Sequence, residues 1–290
     1  MTSVLAAVVV GYLAARLTWL VVRPFFTLPA LTRRNFRGRT VPTSVGIVLP
    51  LAAMLVEGGR AVAGSFGIGE GAGMAGGRSL VLLAALGFAV LGLLDDIAGT
   101  GSGAGTGSGA GTERGFRGHL GALAEGRVTT GVLKLVGGGV LALLVVAPVV
   151  GESPARLVAD AALVGLCANL ANLLDRAPGR TIKVGTGAFL LLAVAAERTS
   201  ALSGTAVLVG AALGLVLDDL HERVMLGDTG SNVLGAVLGL GVVLACGPST
   251  REIVLVFVGT LNVAGEMVSF SRVIDAVPPL RALDQAGRRD

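Results

Sequence analysis

The chain has 290 residues, of which 53% are hydrophobic and only 14% charged. A mean hydropathy of +0.80 excludes an ordinary water-soluble domain, because the apolar stretches repeatedly approach the roughly 20 residues that cross a bilayer. The net charge of +4 reads as membrane topology and attraction to anionic lipid, so no nucleic-acid partner is expected.

In chain order, nine apolar runs are read as spans: 3–22, 44–57, 79–94, 129–150, 155–174, 184–196, 201–217, 232–246 and 252–270. The second and sixth are short. A backbone inside lipid must satisfy its own hydrogen bonds and barrel-like alternation is absent, so the expected fold is an all-α, polytopic transmembrane helical bundle. It forms a single integral membrane domain over 1–290. The first run has no basic leader and continues straight into the chain, which reads as a span and not a separable signal peptide. Two inserts interrupt the pattern, a glycine-rich external loop at 57–78 and a Gly/Ser/Ala/Thr low-complexity cytoplasmic linker at 99–112. Both read as flexible. Cys167 and Cys246 fall within apolar runs, as reduced, buried thiols would.

Orientation follows from the cations between spans. If the first loop is cytoplasmic, that face collects sixteen Lys and Arg residues, including Arg33, Arg34, Arg37, Arg176, Arg180 and Lys183, against five on the other; Arg16 and Lys134 fall in spans. The N-terminus is therefore expected outside and the C-terminus inside, with the plasma (inner) membrane as the expected location.

On this topology the acids gather at one depth. Asp95 and Asp96 end the third span, Asp175 the fifth, and Asp218 and Asp219 the seventh, while Asp228 precedes the eighth. Any one of these is an ordinary solvated helix end, but acids clustered beside cations on one face suit a divalent ion and a phosphorylated ligand. Asp228 sits in the turn Leu226-Gly227-Asp228-Thr229-Gly230-Ser231-Asn232, where glycines permit close approach to a ligand and Thr229, Ser231 and Asn232 add polar groups. The same pattern describes a capped loop in which Ser231 begins a helix. In the fifth span, Asn169, Asn172 and Asp175 lie three residues apart, along one helical stripe that serves either helix packing or a ligand. His119 reads as a surface or headgroup-facing residue, and His221, beside Asp218 and Asp219, as a better candidate.

Together, Leu93-Leu94-Asp95-Asp96, the Asn-x-x-Asn-x-x-Asp stripe and Gly227-Asp228-Thr229-Gly230-Ser231 resemble, in type and order, the motifs of the polyprenyl-phosphate sugar-1-phosphate transferases, the family that includes the phospho-MurNAc-pentapeptide transferases. Pro42-Thr43-Ser44-Val45-Gly46 also looks like that family's Pro-Thr-x-Gly-Gly turn. The resemblance implies a Mg²⁺-dependent enzyme of cell-envelope polysaccharide or peptidoglycan synthesis. It would transfer a sugar-1-phosphate from a UDP-N-acetylamino sugar to undecaprenyl phosphate, release UMP, and act at the cytoplasmic face. By matching motifs, it implies that Asp228 and Asn172 hold the metal, that Asp95, Asp96 and Asp228 are catalytic, and that Asn169, Asn172, Asp175, Lys134, Gly227 and Ser231 bind substrate. A homodimer is also implied, since the family often pairs.

The chain departs from the family pattern in three places. Asp175-Arg176-Ala177-Pro178-Gly179 stands where a second acid is expected at Pro178, a histidine cluster near the last cytoplasmic loop is not found, and the usual final span is missing. These departures support the alternative of a catalytically degenerate relative that binds lipid phosphate as a membrane scaffold.

Overall fold

The computed structural model describes residues 2–35, 37–69, 76–101 and 130–288. Its helices are α1 (Thr2–Val22), α2 (Val48–Ser65), α3 (Gly76–Gly101), α4 (Thr130–Val150), α5 (Pro154–Leu174), α6 (Arg180–Ala195), α7 (Ser203–Leu220), α8 (Gly227–Ala245), α9 (Pro248–Met267), α10 (Phe270–Ala276) and α11 (Pro278–Gln285). Between α1 and α2 lies an antiparallel hairpin of β1 (Thr32–Arg34) and β2 (Thr40–Pro42), with Arg33 opposite Val41.

The architecture is a polytopic helical bundle. Seven described helices are long and apolar enough to cross a membrane, and the α9–α10 pair, bent by 93°, would make eight. Nine runs were read from the sequence; the difference is the run at 184–196, which lies in α6, a helix of only 16 residues. Its two ends nevertheless sit at opposite ends of the bundle. The Gly179 N–H before it donates to Asp219 at 2.8 Å, and the Glu197 N–H after it donates to the Ala245 carbonyl, at the far end of α8, at 2.9 Å.

The stretch read as a loop at 57–78 is helical at both margins, since α2 runs on to Ser65 and α3 begins at Gly76. Glycine's low helix propensity is a weak prior, readily overridden by tertiary and membrane context. Residues 70–75, and most of the 99–112 linker together with His119, lie outside the described residues.

The centre of the bundle is α8, whose apolar window is 83% buried against 28% for α4 and α5. Around it pack α3, α5, α6 and α7, while α7 also supports α1 and α2. Burial on all sides explains why α8 is apolar all round, with Val233, Leu234, Val237 and Leu240 enclosed. Glycines along it let neighbouring backbones come close, as small residues do at helix contacts in membranes. This packing brings the C-terminal ends of α3, α5 and α7 and the N-terminal ends of α4, α6 and α8 to one end of the molecule.

Candidate active site

Two turns build the floor of that end. Ser44 adopts a left-handed conformation at φ 60°, which turns the chain so that the N–H groups of Val45 and Gly46 donate to the carbonyls of Met225 and Leu226 at 3.2 and 2.9 Å. The Met225 N–H returns a bond to the Pro42 carbonyl at 2.8 Å. The Pro-Thr-x-x-Gly turn is thus zipped against the start of the Gly-Asp-Thr-Gly-Ser turn.

Asp96 fixes the other side. It is 3% exposed, and it accepts from the N–H groups of Asp228 and Thr229 at 3.1 Å each and from the Thr229 hydroxyl at 2.7 Å. A carboxylate from α3 therefore caps the N-terminus of α8, where unpaired N–H groups and the helix dipole favour negative charge. The geometry needs glycine twice. Gly227 has φ 72° and a Cβ there would lie 2.6 Å from an Asp96 oxygen; a Cβ on Gly92 would lie 2.4 Å from the Asp228 carbonyl oxygen.

With its backbone so held, the Asp228 side chain meets three partners. The Lys134 ammonium of α4 pairs with Asp228 and, at 3.1 Å, with Asp95. The Asn172 amide of α5 donates to Asp228 Oδ2 at 3.1 Å. Four helices thus contribute one group each to a half-buried cluster of two carboxylates, an ammonium and an amide. A partly buried cluster of this kind holds because each charge faces an opposite one or a hydrogen-bond donor.

Asp175 closes α5 one turn beyond Asn172, accepting from the Thr181 hydroxyl at 3.1 Å. Burial, and then the neighbouring charge of Asp219, push its carboxyl well above the usual range. Beside it opens a cavity of about 250 Å³, lined by Asp175, Arg176, Pro178, Asp219, Glu222 and the hairpin residues Arg34 and Asn35. The hairpin tip is held by the Asn35 carboxamide oxygen, which accepts from the N–H groups of Arg37 and Arg39, and Asn35 in turn donates to Glu222 at 2.8 Å.

Of the residues singled out in the sequence, Asp95, Lys134, Asn172 and Asp228 come together, and Asp175 borders the same region. Three others do different work. Asp96, which the resemblance makes catalytic, spends its carboxylate on the cap of α8 and so positions the turn. Ser231 is fully buried and donates to the Gly227 carbonyl within its own helix at 3.1 Å. Asn169 donates to Asn262 of α9 at 2.7 Å, and Asn262 donates to the Leu166 carbonyl, which makes this end of the stripe a helix-packing contact. Gly227 shapes the turn through its backbone.

In the sequence, Arg33 and Arg34 are legible only as markers of topology. In the structure Arg33 donates to the Asp96 carbonyl at 3.2 Å and Arg34 lines the cavity. The signal available was Asn35 followed by Gly38, residues that favour a tight turn between two short extended segments. Asp219 was grouped with the clustered acids, but it caps α6 through the Gly179 N–H. His221, the better histidine candidate, leaves its buried Nδ1 unpaired and is not among the partners of the cluster.

Among the described residues, no group of three or more His, Cys, Asp and Glu gathers into a ready-made metal cage. Asp95 and Asp228, with the Asn172 amide beside them, still fit a hard divalent ion of the Mg²⁺ kind, which takes one or two carboxylates and completes its shell with phosphate oxygens and water. Fold and site together define a multi-pass membrane protein with an acidic, cation-balanced cluster at one end of a helical bundle.

No protein-family model matches the chain. It is 34% identical over 109 residues to the phospho-N-acetylmuramoyl-pentapeptide-transferase of Bacillus cytotoxicus, covering 35% of this chain and 32% of that protein. The match thus spans about a third of the relative's length and supports a distant relationship to it.

Proposed function

We propose that the chain transfers a sugar-1-phosphate from a UDP-N-acetylamino sugar to a polyprenyl phosphate such as undecaprenyl phosphate, with release of UMP, at the cytoplasmic face of the plasma membrane. The observation that carries this reading is the convergence of Asp95, Lys134, Asn172 and Asp228 from four helices onto one point at the membrane end. Similarity to a transferase of this chemistry supports it.

In the reaction, an oxygen of the lipid phosphate attacks the sugar-bearing phosphorus of the nucleotide diphosphate. A new P–O bond forms, the bond to the bridging oxygen breaks, and the electron pair leaves with UMP. Two anions must approach each other, so the site has to supply positive charge. Lys134 supplies one such charge beside the acids and is placed to shift from carboxylate to phosphate as substrate enters. Asp228 and Asn172 are the residues that would hold Mg²⁺, with Asp95 adjoining; when bound, the ion polarises the diphosphate and offsets its charge. Asp95 orients the lipid phosphate, while Asp175 and the cavity beside it receive the nucleotide. Asp96 keeps Asp228 in register without touching substrate.

Purified protein given Mg²⁺, undecaprenyl phosphate and a panel of UDP-amino sugars is expected to release UMP, and Asp228→Asn to abolish the release. Pro178 at the position of a second acid, together with the engagement of Asp96 and Asp219 in helix caps, favours a second reading as a non-catalytic lipid-phosphate-binding scaffold. That reading takes over if no sugar in a broad panel yields UMP while the protein still binds undecaprenyl phosphate.

A further inference from the structure

The short helices α10 and α11 fold back over the loop between α5 and α6 and are fixed there by charge. Arg180, at the start of α6 and 4% exposed, donates from Nε and Nη2 to the two carboxylate oxygens of Asp284 at 2.8 Å each. Its Nη1 donates to the Ser271 hydroxyl at 2.8 Å. Arg288 lies 2.7 Å from the same carboxylate, and its Nε donates to the Pro178 carbonyl at 3.1 Å. The Lys183 ammonium donates to the carbonyls of Leu283, Asp284 and Ala286, closing the C-terminal end of α11.

Two guanidiniums therefore flank one carboxylate, and the Lys183 ammonium sits beside them on the backbone carbonyls that end α11. A guanidinium holding a carboxylate by two parallel hydrogen bonds offers the same fork to a phosphate. The socket also adjoins the cavity, because Pro178, which Arg288 holds, is part of the cavity wall. An incoming anion with two or more charges outmatches one carboxylate here, and it can shift the equilibrium by as much as it prefers the open socket to the closed one.

We propose that Asp284 is a built-in anion seated in a basic socket of Arg180, Lys183 and Arg288, and that a diphosphate-bearing ligand entering the adjoining cavity displaces it and releases the strap of α10 and α11. The proposal rests on the transferase reading only in taking a diphosphate as the physiological anion. Arg180 and Asp284 belong to none of the motifs that carry that reading.

The test is tryptic cleavage of the full-length protein in detergent, after Arg272 and Arg281, followed by the mass of the released C-terminal peptides. Neither lipid nor UDP-sugar is present, so the outcome does not depend on whether UMP is ever released. Millimolar inorganic pyrophosphate is expected to speed cleavage at least fivefold over sodium chloride of equal ionic strength. A free peptide covering 268–288 serves as the control for protease activity in both buffers. Asp284→Asn is expected to cleave at the fast rate in either buffer, and Asp284→Glu to restore the difference, with unchanged size-exclusion profiles showing that both variants fold. Equal wild-type rates in pyrophosphate and chloride, or an Asp284→Asn strap as protected as the wild type, would overturn the proposal.

Discussion

Two Asp-Asp pairs at the acidic end share one division of labour. In each, the first acid meets a cation: Asp95 pairs with Lys134, and Asp218 with Arg16 and Arg223. The second caps a helix that starts beside it, Asp96 for α8 and Asp219 for α6. A dipeptide motif alone does not reveal this, because both residues have the same chemistry and only the three-dimensional neighbour decides the role. Asp96→Ala leaves buried N–H donors at the head of α8 without a partner, which costs about 3 kcal/mol. The expected readout is a lower unfolding temperature in detergent and a loss of Asp228 function; an unchanged unfolding temperature would rule out the cap. Asp228, Asn172 and Asp95 could be grouped in the sequence because their motifs stand at helix ends, and the structure brings them together with Lys134. The contacts of Ser231 and Asn169 could not be read there, since a hydroxyl or amide on an apolar helix satisfies itself within its own helix or against its neighbour as readily as through a ligand.

Most helices were visible as apolar runs, yet their breaks were less so. Glycines at 58, 59 and 64 suggested a loop, but α2 continues through them. The hairpin of β1 and β2 lies inside an arginine-rich stretch whose charges are already accounted for by topology. The strap was hidden for another reason: the partnership of Arg180 with Asp284 joins residues 104 positions apart. That partnership has a pH signature. Burial opposes the ionised form of Asp284, but the hydrogen bonds and charge of Arg180 and then Arg288 outweigh it, holding the carboxyl below its usual range. A carboxyl lowered by folding lends stability that is complete above its unfolded pKa of roughly 4 and is lost as pH falls through the lower native value. Hydrogen exchange of the α11 amides, corrected for intrinsic rates, is expected to accelerate as pH drops below about 4, and Arg180→Met to remove that step. A step that persists in Arg180→Met would place its origin elsewhere.

Across the whole molecule, composition was the most informative signal: it announced a membrane bundle before any motif was considered. The cytoplasmic orientation of the acidic end, proposed from the distribution of cations, has a direct measurement. A cysteine in place of Arg39, on the hairpin, is expected to react with a membrane-impermeant maleimide only in inverted vesicles. One in place of Glu152, between α4 and α5, is expected to react in intact cells. The reverse pattern, or labelling of both from one side, would overturn the proposed cytoplasmic placement of the site.

The shortness of α6 carries a consequence for the lipid itself. Sixteen residues rise only about 24 Å, short of a hydrocarbon layer of roughly 30 Å. Its outer face presents Val184, Leu190, Leu191 and Val194. A span this short is expected to draw the leaflets together locally to keep these groups covered. On the transferase reading proposed above, such a dimple at the start of α6, next to Asp175 and the cavity, would bring a long-chain phosphate down toward the carboxylates.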